Sequence, residues 1–205
     1  VWLGPREELE VVYLTAMGRS QREVLASLRA YRSLPRVEWL FTEARMLAEQ
    51  ELSALRIAPG ELPWMMDLFS AVLVPEASQR EVSAVDDAQL QGSLWSRGIG
   101  GDNPFLLLRI AAEGDTAFAE AVVQAHSYWC GRGMAVDLVL VAAGAGGYLQ
   151  PGRDRLQQLV GEVRARSSRR LAGEVHLVAA GDTPAEDLRR LTAAARVVLD
   201  AARGS

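Results

Sequence analysis

Three stretches of the sequence bring together residue types that can do chemistry. Gly144-Ala145-Gly146-Gly147 follows an apolar run, and its glycines let backbone N–H groups approach an anion, so it is the candidate cradle for a phosphate or a nucleotide sugar. Two of its glycines keep the phase of a dinucleotide fingerprint, Leu149 stands at the third glycine position, and Pro151 follows. The alternative is a plain glycine turn. Gly98-Ile99-Gly100-Gly101-Asp102-Asn103-Pro104 is the second stretch. Its glycines permit positive φ, Asp102 can bond its own backbone, and Trp95 and Arg97 lie just upstream, a set suited to sugar hydroxyls and CH faces. Without a ligand, the same stretch is a rigid turn feeding a strand. In the third, His126 and Cys130 are four residues apart on one helical face, beside Tyr128 and Trp129. That spacing supplies two metal ligands at most, so a packed helix end closed by Gly131 or Gly133 is the better expectation.

Other groups are weaker still. His176 lies inside an apolar run and reads as a core histidine, and no G-x-S-x-G nucleophile elbow occurs. Asp86, Asp87 and Asp102 are the carboxylates that glycoside chemistry would use, with a solvated loop as the default for each. Arg164 to Arg170 is a local basic run at a helix end, as expected of a solvated face.

The elements that must position these groups are legible from periodicity. Glu8 to Thr15 is β-branched and aromatic and reads as a strand. Ser20 and Glu23 form a capping box for a helix from Gln21 to about Tyr31. From Pro35 onward Val37, Leu40, Phe41, Ala44, Leu47, Ala48, Leu52 and Leu55 recur at helical steps as one buried stripe. Leu62 to Leu73 makes a third helix, ended by Pro75. Beyond residue 93 the pattern changes. Apolar runs at Phe105–Ile110, Val136–Ala142, Glu174–Ala179 and Arg196–Asp200 alternate with helical segments starting near Asp115, Arg153 and Pro184, the last with a capping box of Thr183 and Glu186.

Strand–helix alternation with near-continuous apolar strands specifies a parallel sheet covered on both faces. The expected fold is therefore α/β. Residues 94–205 form a small Rossmann-like sheet of about four strands, and residues 1–93 form a helical region with an N-terminal strand. Such sheets bind ligands at the carboxyl ends of their strands, here Glu113-Gly114-Asp115, the Gly144 loop and Gly181-Asp182-Thr183.

Composition excludes several functions. The 22 basic residues are all arginine, so no lysine is present to form a Schiff base or to complete a phosphate loop. With 26 acidic residues the net charge is −4, and no global positive field draws the chain to nucleic acid or to an anionic membrane. One cysteine makes no internal disulfide, which fits a reducing compartment, and with two histidines it makes no four-ligand zinc set. The longest uncharged run, 138–152, contains four glycines and is shorter than the ~20 apolar residues a membrane span requires. No cofactor is expected. The sequence opens at Val1 as if within a domain and reads as a piece of a longer protein.

Several segments, in order, resemble bacterial cyclic β-1,2-glucan synthases. Leu94-Trp95 with the 98–104 stretch and the apolar run ending in Arg109-Ile110 is similar to that family's "LWxxGISGDLP" passage. Ala125-His126-Ser127-Tyr128-Trp129, followed by Gly133-Met134-Ala135-Val136-Asp137-Leu138-Val139-Leu140, resembles "AHEYWRLKGLAVDLVIL". Tyr148-Leu149-Gln150 matches its "SYLQ", and Ala194 to Asp200 with Arg203-Gly204-Ser205 its "AARVVLDxxRGS". The resemblance implies a segment of a large inner-membrane glucosyltransferase that builds β-1,2-glucan from UDP-glucose. It places the segment between two β-sandwich modules of the phosphorylase-like half, on the cytoplasmic side. Partners would be other modules of the same polypeptide, with β-1,2-glucan as a candidate contact. The resemblance carries no catalytic residue onto this chain, whose expected role is a non-catalytic connecting module. A binding module for a nucleotide sugar, phosphate or glucan at the strand ends is the alternative. The sequence departs from the family at Gly100 (usually Ser), Asn103 (Leu) and Ala142-Ala143 (Asn-Glu expected).

Overall fold

A computed structural model describes residues 2–74, 92, 97–111, 116–143, 151–166 and 172–203. The chain divides into two compact units, Val1–Gln50 and Glu51–Ser205.

In the first unit, α1 spans Gln21–Ala30 and α2 starts at Leu34, running on to Leu55 in the second unit. Ser20 Oγ accepts the Glu23 amide at 3.3 Å as expected, but the Glu23 carboxylate reaches back to the Arg19 amide, one residue before the cap, at 2.9 Å. The expected strand over 8–15 carries no ladder. A strand exists only by pairing, and no described residue pairs with this one, so Val11 and Tyr13 stand exposed. The stripe along α2 is likewise buried only at Leu52 and Leu55, while Phe41 and Leu47 are exposed. Burial requires an opposing surface, and among the described residues it is complete only in the last turns of α2.

In the second unit a 3₁₀ turn, Pro59–Glu61, leads into α3, Leu62–Leu73. After it come β1 (Phe105–Ile110), α4 (Thr116–Gly131), β2 (Asp137–Ala142), α5 (Pro151–Arg166), β3 (Val175–Ala179), α6 (Ala185–Ala194) and β4 (Val197–Asp200). The strands match the expected runs to within a residue at each end. All pairings are parallel and the order is β3-β2-β1-β4, so the chain steps outward twice from β1 and then crosses back to its other side.

That reversal sends helices to opposite faces. Leu106, Leu108, Ile110, Leu138 and Leu140 pack with α4 and α5 residues such as Val122 and Val160, together with Leu52, Met65 and Phe69 from α2 and α3. The alternate strand residues Phe105, Leu107, Val139, Val141 and Val178 pack with Leu191 of α6 and with Ile99. A strand shows successive side chains to opposite faces, which is why apolar residues dominate these runs on both faces. The end of α2 and all of α3 share the core of the sheet. Phe69 lies 5.3 Å from Trp129 between ring centroids, and Arg132 joins Glu51 at 2.9 Å while stacking 4.4 Å over Tyr128.

Two expectations about helix ends meet different outcomes. Helix α4 ends in a Schellman turn. The Met134 amide bonds Trp129 O at 3.2 Å and the Gly133 amide bonds Cys130 O at 3.0 Å, with Gly133 at φ +87°. Glycine is needed there because that φ strains any residue with a Cβ. The capping box expected at α6 does not form. The Thr183 hydroxyl donates to Ala179 O at 2.8 Å, closing the turn behind it, and the helix starts at Ala185 with Pro184 as its cap. Glu186 turns to Arg189 and Arg190 instead of the cap amide.

Candidate functional site

Among the expected site residues, Gly144, Gly146, Gly147 and Trp95 lie outside the described residues, as do Glu113-Gly114-Asp115, Asp86-Asp87 and residues 167–170 of the basic run. Asp102 and Arg97 are described, and they do not come together. Asp102 is exposed where the chain enters the amino end of β1. The Arg97 guanidinium instead joins Asp187 in the first turn of α6 at 2.9 Å, both side chains largely buried. Asp187 is also paired with Arg190 at 3.2 Å.

The described part of this stretch, residues 97–104, forms a strap. Arg97 holds one end near the start of α6, which follows the carboxyl end of β3. Asn103 holds the other, donating at 3.2 Å to Asp137, the first residue of β2. Between them Ile99 is fully buried against Leu107, Val139 and Leu191. Gly98 (φ +73°) and Gly101 (φ +80°) supply the two left-handed bends on either side of it. Among the described residues a Cβ on Gly100 would meet only Asp102 Oδ2, at 3.5 Å, which leaves room there for the serine of the similar family passage.

His126 and Cys130 do share a face, as a sealed knot. His126 Nε2 lies 2.8 Å from Val136 O and 3.4 Å from Cys130 Sγ, and the thiol itself lies 3.4 Å from Val136 O. A carbonyl only accepts, so Nε2 carries the imidazole proton, and Nδ1 is buried without a partner. Burial pushes the imidazole pKa down to about 4, against the Val136 hydrogen bond and the Asp137 charge, which pull it up. The same burial raises the Cys130 thiol. Both residues have no exposure to solvent, so the thiol is neither ionised nor reachable by a substrate. Asp137 completes the knot. Its Oδ1 accepts from Asn103 Nδ2 and, at 2.9 Å, from the Glu174 amide, joining the β2 start to the strap and to the entry of β3. Gly173 lies against it so closely that a Cβ there would fall 1.8 Å from Val136 O. Among the described residues no group of three His, Cys, Asp or Glu is placed to hold a metal ion.

The feature that sequence reasoning missed is a groove of about 1050 Å³ on the α6 face, running along β4 and β1 beside the helix. Its floor is Leu107, Val141 and Val198, and α6 forms one wall through Leu188 and Thr192. At the carboxyl end Arg109 and Asp200 stand side by side as register partners on β1 and β4. Arg109 donates to Thr192 Oγ1 at 2.9 Å, and Asp200 accepts the Ala202 amide at 3.1 Å. This is where the sheet reverses its winding, the place where open α/β sheets take ligands. The signal in the sequence is Arg109 interrupting Phe-Leu-Leu-Leu-Arg-Ile and Asp200 ending Val-Val-Leu-Asp. Charged residues at corresponding ends of neighbouring apolar strands mark a rim that helices leave open.

Compared with known proteins, the chain matches no family model and no curated sequence.

Proposed function

We propose that residues 1–205 are a non-catalytic connecting module of a cyclic β-1,2-glucan synthase-like glucosyltransferase. One observation carries this reading. Four polar residues of the family-like passages bond to other parts of this fold, Arg97 to Asp187, Asn103 to Asp137, His126 to the Val136 carbonyl, and Asp137 to the Glu174 amide, while Asp102 stands exposed at the entry to β1. Residues used in this way fix a shape and present no reacting atom. The motifs also coincide with structural units: the strap with β1, the end of α4 with the knot and β2, and β4.

In this reading the parent makes β-1,2-glucan from UDP-glucose at the inner membrane, on its cytoplasmic side. The module packs against other modules of the same polypeptide, with β-1,2-glucan as a further contact. No helix of the described residues is long and apolar enough to cross a membrane, so membrane spans would belong to other parts of that polypeptide. The test is to sequence the reading frame on both sides of these residues. A glycosyltransferase module with membrane spans on one side and a phosphorylase-like module on the other is the expected result. A frame encoding neither overturns the assignment.

The groove favours a second reading, a binding module at the strand carboxyl ends, because Arg109 offers guanidinium donors there beyond the one given to Thr192. Thermal shift with UDP-glucose, inorganic phosphate and β-1,2-glucans separates the two. Stabilisation by one of them, lost in Arg109→Ala, supports binding, and no response supports the connecting role.

A further inference from the structure

The two faces of the sheet are unequally covered. The face of Leu106 and Leu138 is packed by α4 and α5, with α3 and the end of α2 joining the same core. Among the described residues, the opposite face has α6 and the strap alone. Their cover stops between β1 and β4: Leu107 is buried, whereas its register partner Val198, on the same face, is 38% exposed. We propose that the groove beside α6 is the seat of an amphipathic helix with an aliphatic face and acidic flanks, supplied by a neighbouring module.

The dimensions fit a helix. The four residues of β4 span about 13 Å at 3.3 Å each, which is the length of about nine helical residues. The lining supplies the chemistry. Leu107, Val141, Leu188 and Val198 are aliphatic, which suits Leu, Ile or Val at helical i, i+3, i+4 spacing. Among the described residues Arg109 and Arg196 make no ion pair, and they outnumber Asp200, so the groove carries positive charge on a chain of net −4. Acidic residues flanking the helix would meet those guanidiniums at the rim, improving encounter and register more than raw affinity. An extended peptide added to the edge of β4 is the weaker match, since the apolar surface lies on the sheet face and an added strand would leave Val198 open.

This inference deepens the connecting role and rests on it only in placing the partner helix in the same polypeptide. It is tested without that premise, so the two can fail separately. The full 205-residue chain is used as bait for a displayed library of random peptides 14 residues long, with depletion against Val198→Glu. The expected result is enrichment of sequences with aliphatic residues at helical spacing flanked by Asp or Glu. A synthetic consensus peptide should gain helical circular dichroism on binding. Its Kd should weaken at least tenfold for Val198→Glu and at least threefold for Arg109→Glu, with both variants keeping the parent's circular dichroism and Tm to within a few degrees. If a variant unfolds, Arg196→Glu replaces it. Three results overturn the proposal: no sequence enriched beyond the depleted pool, enrichment of extended or basic sequences, or binding that the groove variants leave unchanged.

Discussion

His126 makes acid stability a sharp test of the knot at the end of α4. Its imidazole titrates near 6.5 in an unfolded chain and at about 4 in the folded one, because burial disfavours the charged ring. The folded pKa is the lower of the two, so protonation favours the unfolded state. The contribution to stability is fully present above pH 6.5 and is lost as pH falls from 6.5 towards 4. Linkage between these two values gives a loss of roughly 2–3 kcal/mol by about pH 4.5 relative to about pH 7.5. Carboxylates titrate over part of the same range, so the useful quantity is a difference between proteins. His126→Gln keeps an amide donor near Val136 O and removes the titration. Urea unfolding of both proteins at the two pH values, followed by tryptophan fluorescence, should show a pH-dependent loss about 2 kcal/mol smaller in the variant. Equal losses in both would refute the assignment of His126 as a sealed neutral donor.

Three further substitutions probe the same packing. Gly173→Ala puts a Cβ 1.8 Å from Val136 O and 2.9 Å from Cys130 Sγ, so its cost by urea unfolding should reach the top of the roughly 1–3 kcal/mol range for overpacking, or exceed it. Gly100→Ser, whose added Cβ meets only Asp102 Oδ2 at 3.5 Å among the described residues, should change stability by less than about 0.5 kcal/mol. Asp137→Ala leaves the Glu174 amide and Asn103 Nδ2 without their acceptor and should cost about 1–3 kcal/mol.

The sheet was legible in the sequence because its signal is local. Leu106-Leu107-Leu108 and Leu138 to Ala142 are apolar without alternation, as a parallel strand covered on both faces requires. The Schellman end of α4 was legible because Gly133 meets a local need for positive φ. Features that depend on a distant partner were not. Glu8 to Thr15 has strand composition without a strand to pair with among the described residues. Thr183 had two ways to use its hydroxyl, and the choice fell to the Ala179 carbonyl behind it. Asp102, Trp95 and Arg97 suggested a binding set; Trp95 lies outside the described residues, and Arg97 turns to Asp187 of α6, 90 residues away. The groove arises from the return crossover to β4, a choice of strand order that no run of residues encodes by itself.

The most direct test of the connecting role is NMR of the purified chain. ³¹P and ¹H spectra would follow UDP-glucose alone, and β-1,2-glucan with inorganic phosphate, over a day. The account predicts no release of UDP and no formation of glucose 1-phosphate beyond protein-free controls. Formation of either product at a rate that Asp102→Asn abolishes would contradict it.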